Sequence, residues 1–256
     1  MDITYIGVEE AVSRPGLRMV VVGNVPSPWS ESAKGIFRVK RIPWAAVRLS
    51  YDSKLLKEWA GERSAPVAIY DDEPPRSGWA DILELAERLA PTPALLPQDA
   101  EQRDAVMQIG RDLCGQHGLG WTRRLHMIHA GLQGHGGFTP EVSAYLAKKY
   151  GYTPEAGADA DARVAQLLTT LSKRLEAQRA AGSDYLVGDS VTAADIYSAA
   201  FMALLRPLPE SVCPMDPRTR EAFELRGPRS DEALDERLLA HRAMMYERHL
   251  ALPLSL

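Results

Sequence analysis

Three prolines fall within seven residues, Pro91-Thr92-Pro93-Ala94-Leu95-Leu96-Pro97, and they separate two stretches of different pattern. Proline lacks a backbone donor and pushes the preceding residue out of helical conformation, so neither a helix nor a central strand runs through such a segment. Before it, apolar runs rich in β-branched residues alternate with segments of helical period. Residues 17–22, 44–49 and 65–70 read as strands, and 30–40, 52–60 and 79–89 as helices. The third strand starts at a proline, a position where the missing donor need not break a ladder. After the prolines every periodic segment is helical: 100–117, then a break at Gly118-Leu119-Gly120, 121–132, 140–150, 159–180, 193–205 and 231–250. Residues 207–228, rich in proline and charge, read as a loop lying over the surface.

The expected architecture is therefore an α/β layer domain of order β-α-β-α-β-turn-α over residues 1–90, a linker at 91–98, and an all-α domain over 99–256. Residues 1–16 form an extension of the first domain, in which 3–8 can be an edge strand before the Arg14-Pro15-Gly16 turn.

Composition narrows the function classes. The formal net charge of −4 argues against nucleic acid or an anionic membrane as partner. No apolar run is long enough to span a bilayer, and the first residues lack the basic-then-apolar order of a secretory signal. The two cysteines, Cys114 and Cys213, are far apart and form no CxxC, so they are expected to stay reduced in a cytoplasm.

Two local patterns carry most of the remaining information. In Val191-Thr192-Ala193-Ala194-Asp195-Ile196, Thr192 stands at an N-cap and Asp195 three residues on, the spacing of a capping box, with Val191 and Ile196 placed as a hydrophobic staple. The helix that follows is apolar over most of its circumference and is expected to run through the core. In Gly23-Asn24-Val25-Pro26-Ser27-Pro28-Trp29-Ser30 a buried strand turns directly into a helix. Ser27 reads as an N-cap with Pro28 at the first helical position, and the free N–H groups of that turn attract anions.

An α/β domain whose third strand opens with proline, followed by a helical domain containing Gly188-Asp189-Ser190-Val191-Thr192-Ala193-Ala194-Asp195, resembles the cytosolic glutathione transferases. The resemblance covers roughly residues 17–206 and is nearest to serine-type, bacterial-like members. It implies a thioredoxin-like first domain with Pro66 cis, the Ala65 backbone pairing with glutathione, and a homodimer. It further implies an enzyme of detoxification chemistry, with glutathione as co-substrate and an apolar electrophile as acceptor. Ser27, rather than Ser30, then donates a hydrogen bond to the glutathione thiolate, which lowers the thiol pKa. Because residues 1–113 lack cysteine, a glutaredoxin-like disulfide mechanism is not expected.

The resemblance assigns further residues. The family carries an acidic residue and then Ser where this chain has Arg76-Ser77-Gly78-Trp79. Ser77 is the nearest match for the glutamyl end of glutathione, with Arg76 in the acidic position, although counting back from Ile82 puts Trp79 in the serine position. Trp29, Trp121, Arg123 and His126 are candidates for the acceptor wall. His126 and His129 share a helical face, but no cysteine or carboxylate stands at companion spacing and no metal site is expected. His241 and His249 lie on a highly charged final helix and read as solvent-facing. A tyrosine on the first strand serves some classes, which makes Tyr5 an alternative to Ser27. Two other readings stay open: a binding module of the same fold without catalysis, and a glutathione-dependent lyase or isomerase.

Overall fold

The computed structural model describes residues 3–256; Met1 and Asp2, the start of the expected extension, lie outside the described residues. The first half is a four-stranded sheet with helices on both faces. Its elements are β1 (Thr4–Tyr5), α1 (Val8–Ser13), β2 (Leu17–Val21), α2 (Pro28–Val39), β3 (Trp44–Arg48), α3 (Lys54–Ala60), β4 (Val67–Tyr70) and α4 (Trp79–Leu89). The order across the sheet is β1-β3-β2-β4, with β3 parallel to both β1 and β2 and β4 antiparallel to β2. Arg76 adds a single bridge to Ala68 outside β4.

β2 is buried at every position, as expected of a run that is apolar apart from Arg18. Leu17, Met19 and Val21 face the main core under α2 and α4, and Val20 faces a smaller one with Ala11, Val47, Leu56 and Ile69. Arg18 is buried and survives there because its guanidinium donates to the carbonyls of Ala11, Gly16 and Asp71. The extension departs from the expectation of one strand over 3–8. Only Thr4 and Tyr5 pair, and Gly7 caps a short helix with Glu9 and Glu10 in its first turn, where they meet the positive end of the dipole.

The second half is helical: α5 (Ala100–Cys114), α6 (Leu119–Gln133), α7 (Pro140–Tyr150), α8 (Pro154–Ala180), α9 (Ala193–Phe201), α10 (Pro217–Phe223), α11 (Pro228–Ala233) and α12 (Glu236–Arg248). α9 is buried at all nine residues and packs against α2, α5 and α12, so it ties the sheet layer to the helices. At its start the capping box forms, with Asp195 Oδ2 accepting from both the Thr192 N–H and the Thr192 hydroxyl at 2.8 Å.

Three expectations are corrected here. Residues 207–228 do not lie over the surface: Cys213, Ala222 and Phe223 are buried, and Asp216 caps α10 through its side chain. The final helix is broken between α11 and α12, and His241 is fully buried rather than solvent-facing, its Nε2 3.0 Å from Asp195. His249 is half-buried and meets the Tyr185 hydroxyl at 3.0 Å. Both cysteines are free and buried.

After α12 the chain returns to the sheet layer. The Ser255 carbonyl accepts from Lys34 Nζ at 2.7 Å and from the Tyr5 hydroxyl at 2.9 Å. Between this tail, α2 and Trp44 lies a cavity of about 610 Å³. No helix of the described residues is long and apolar enough to cross a membrane.

Candidate functional site

The site is organised by the sheet edge where β2 ends and β4 begins. Val20 pairs with Val67, so Pro66 stands level with Val21, at the edge from which the 23–27 loop departs. The Ala65–Pro66 bond is cis, and Pro66 is buried while Ala65 keeps part of its surface. Ser27 occupies the N-cap of α2 with Pro28 after it, and the Glu31 N–H closes the first helical turn on the Ser27 carbonyl at 2.8 Å. The Ser27 hydroxyl itself makes no capping bond. It has no hydrogen-bond partner among the described residues, although Ser27 is only 6% exposed. Ser30 is different: it is fully buried, and its Oγ accepts from the Val22 N–H at 3.3 Å, which fastens α2 to the end of β2. One hydroxyl of the pair is spent on the fold and the other is free.

Pro66, Ser77, Trp29 and Trp79 meet around a cavity of about 20 Å³, beside Cys114 and Tyr197. The space is that of roughly one water because two indoles fill the cleft. The Trp29 ring lies edge-on to Phe201, 5.1 Å between centroids, and its Nε1 donates to the Cys114 carbonyl at 2.8 Å. Trp79 packs edge-on to Tyr197 at 5.6 Å. Each indole needs a glycine beneath it: a Cβ on Gly120 would sit 2.8 Å from the Trp29 ring, and one on Gly110 2.3 Å from that of Trp79. Trp79 thus points into α5, and Ser77 stands exposed beside it. Arg76 pairs with Glu73 at 2.8 Å, and Glu73 also takes Arg88, whose hydrogen bond is the first cause of its lowered carboxyl pKa.

The expected acceptor wall divides. Arg123 is 1% exposed and faces inward. Its Nε donates to the Leu204 carbonyl at 2.9 Å, and its Nη2 to that of Leu225. Burial lowers its pKa to about 10. Arg123 is therefore an internal cross-link, not an open contact. Its Nη1 meets His126 Nδ1 at 2.7 Å, and burial, then the Arg123 charge, lowers the His126 pKa to about 4. The second histidine, His129, bonds the Tyr152 hydroxyl instead. Among the described residues no cluster of three metal-ligating side chains occurs. Trp121 rests on Tyr150 with 4.7 Å between centroids and donates to its carbonyl at 3.1 Å, joining α6 to α7.

Tyr5 cannot stand in for Ser27. β1 and β4 are opposite edges of the sheet, and the Tyr5 hydroxyl is committed to the C-terminal tail.

The motif reading passed over a second, separate concavity. A groove of about 490 Å³ runs between Glu62-Arg63-Ser64, directly before Ala65, and Tyr145, Lys148 and Lys149 of α7. The two lysines end a helix, which in sequence looks like an ordinary dipole complement.

The geometry has clear counterparts. Residues 139–224 match the model of the glutathione S-transferase C-terminal domain. No curated protein matches the sequence. Among solved structures, a glutathione transferase family member from Pseudomonas fluorescens pf-5 with two glutathione bound superposes with a TM-score of 0.63 at 14% identity, covering 94% of each chain. Glutathione transferase Omega 3C from Trametes versicolor gives 0.57 at 16% identity over 94% of this chain and 89% of its own. A glutathione S-transferase from Methylobacillus flagellatus kt with GSH bound gives 0.57 at 17% identity over 91% and 95%. A sheet domain with cis Pro66 at its edge, followed by a buried, capped α9 in a helical domain, is the glutathione transferase fold, and that is the fold of this chain.

Proposed function

We propose that the protein is a glutathione transferase-like enzyme that binds glutathione at the Ser27–Pro66 edge and activates its thiol for attack on an electrophilic, largely apolar small molecule. The observation that carries this reading is the free hydroxyl of Ser27, unbonded at the N-cap of a twelve-residue helix beside the cis bond. A hydroxyl donating to sulfur at the positive end of a helix favours thiolate over thiol. The half-exposed Ala65 backbone orients the peptide, and Ser77 and Arg76 serve the glutamyl end. Trp29, through its position after Ser27, forms the inner wall. Structural relatives described with glutathione bound support the choice of ligand.

Lys148 and Lys149 add a long-range attraction for a tripeptide that carries two carboxylates. We extend the reading to residues 1–90 and 99–256 as separate domains joined at 91–98, in a cytoplasmic homodimer of detoxifying role. Light scattering tests the dimer.

The experiment for the core claim is ultraviolet titration of enzyme-bound glutathione in wild type and Ser27→Ala. The thiolate band is expected at neutral pH in wild type and shifted upward by a pH unit or more in the variant, a shift worth about 1.4 kcal/mol or more. An unmoved band in the variant removes Ser27 from the role. Conjugation and a lyase or isomerase reaction share this first step, and product analysis separates them.

A second reading has its own observation. Trp79 stands in the cleft where the glutamyl-binding serine is expected, which favours a module of this fold without catalysis. Absence of calorimetric heat at millimolar glutathione would select it.

A further inference from the structure

The cavity of about 610 Å³ beside α2 lies at the other edge of the sheet from Pro66. Ile3, next to β1, and Trp44, at the start of β3, line it, whereas Pro66 precedes β4 on the opposite edge. None of Ser27, Pro66 and Ser77 borders it. Its walls come from the sheet edge, from one face of α2, and from the residues that follow α12. On α2 the lining positions are Glu31, Lys34, Gly35 and Arg38, the stripe of a single helical face. Gly35 closes the inner side. A Cβ there would sit 2.8 Å from the Ile196 side chain and 2.9 Å from that of Leu250, so only glycine lets α2 come this close to both.

The charges in this wall do not cancel. Lys34 is buried and committed, 2.5 Å from the Glu31 carboxylate and 2.7 Å from the Ser255 carbonyl. Those two side chains neutralise each other. Arg38, one turn further on, is partly exposed and makes no hydrogen bond or ion pair with a described residue. Among the described lining residues it is the one uncompensated cation.

Opposite this stripe the lining is apolar. Ile3, Leu250, Leu252 and Leu254 border the space, and the Trp44 ring, partly exposed, stands edge-on to Phe37 with 5.9 Å between centroids. Apolar walls with a few placed polar groups, around several hundred Å³, suit a small amphipathic molecule. From Glu31 to Arg38 the wall follows about 10 Å of helix. An extended chain of about eight carbons has this length.

We propose that this cavity is a binding site, separate from the Ser27–Pro66 edge, for a medium-chain aliphatic carboxylate. The carboxylate pairs with Arg38, and the chain lies along α2 against Trp44 and the leucines of the C-terminal tail. A carboxylate answers the uncompensated guanidinium, and an unbranched chain buries the apolar wall without asking for further polar partners. The site goes beyond the transferase reading and does not depend on it.

The test is calorimetry with octanoate and octanamide, which share a chain and differ in charge. Wild type is expected to bind octanoate about five-fold tighter or more, as a partly exposed charge-assisted pair implies. Arg38→Gln should bring the two to equal affinity by weakening octanoate alone, and Arg38→Lys should keep part of the preference. From hexanoate to octanoate the affinity should rise about four-fold per methylene, as burial of the chain requires. Millimolar glutathione and Ser27→Ala should each leave the octanoate Kd unmoved.

Absence of octanoate binding, equal affinity for acid and amide in wild type, or an unmoved ratio in Arg38→Gln would overturn the proposal. Displacement by glutathione, or a Kd shifted in Ser27→Ala, would put the ligand in the cleft beside Ser27 and overturn it as well. If Arg38→Gln does not fold, Ala251→Trp takes its place. Ala251 is exposed and borders the cavity, so an indole there should fill the space and weaken both ligands by ten-fold or more, about 1.4 kcal/mol. Undiminished binding in that variant would mean that the ligand sits elsewhere.

Discussion

Asp195 and His241, forty-six positions apart, face each other at 3.0 Å with no solvent access to either side chain. The same carboxylate accepts from the Leu186 and Thr192 N–H groups, each at 2.8 Å, so one side chain fastens the loop before α9, its cap, and α12. Asp195→Ala would leave two backbone donors and a ring nitrogen buried without a partner. Each such loss costs about 1–3 kcal/mol, so a loss on the order of 4 kcal/mol is expected in urea unfolding. His241→Ala should cost less, since the three remaining bonds to Asp195 survive. Similar midpoints for the two variants would contradict this ranking.

The two indoles in the cleft make a second prediction. Alanine in place of a helical glycine normally stabilises by about 1 kcal/mol. At Gly110 and Gly120 the new methyl would meet the rings of Trp79 and Trp29 at 2.3 and 2.8 Å, and at Gly120 that of Phe201 at 2.4 Å. Overpacking of this kind costs about 1–3 kcal/mol, so both variants should be destabilised. A rise in thermal midpoint for either would show that its indole can move aside. A double variant, Gly110→Ala with Trp79→Phe, should regain part of the loss if the clash is the cause.

How much of this was legible in the chain depends on what each residue answers to. Helices α4 and α7 appear with the bounds their periodicity predicts, because an apolar stripe ended by a terminator needs no distant information. The Thr192–Asp195 box is equally local. The free state of the Ser27 hydroxyl is not, since a capping and a non-capping serine have one sequence. Arg123 and Arg124 are both buried on α6, and that Arg123 meets the carbonyls of Leu204 and Leu225 follows from packing remote in sequence. His241 looked solvated because its neighbours Arg242, Glu247 and Arg248 are charged; its partner is remote in sequence. Residues 207–228 looked like surface because prolines end helices, yet Pro217 stands at the start of α10, where proline is tolerated.

The C-terminal tail gives a third prediction. Glu31 is buried against Lys34, 2.5 Å away, and burial raises its carboxyl pKa despite that partner. The Lys34 ammonium completes its bonds on the Ser255 carbonyl. Removing residues 251–256 would open the cavity beside α2 to water, so the Glu31 pKa should fall toward its ordinary value, as followed by carboxylate NMR. The deletion also removes the Tyr5 and Arg48 contacts to the tail. A net loss of about 1–3 kcal/mol is expected, since two of those bonds involve charged donors. An unchanged Glu31 titration would mean that the tail does not seal the pair.

His126 makes stability depend on pH. Its folded pKa is lowered to about 4 from 6.5, by burial first and then by the Arg123 charge. A histidine with a depressed pKa binds its proton more readily in the unfolded chain. Its contribution is therefore fully present above about pH 6.5 and is lost as pH falls toward 4. One pKa unit corresponds to about 1.4 kcal/mol, so the group accounts for a decline on the order of 2 kcal/mol after allowance for its residual solvent contact. Carboxylates such as Asp235, whose pKa is lowered chiefly by its hydrogen bond to Arg237, titrate below this window. His126→Gln keeps a polar side chain beside Arg123 but cannot titrate there. The variant should be less stable than wild type at pH 7.5, and the gap should narrow as pH is lowered to about 4.5. Parallel stability curves for the two proteins across that range would show that His126 is protonated equally in the folded and unfolded chain.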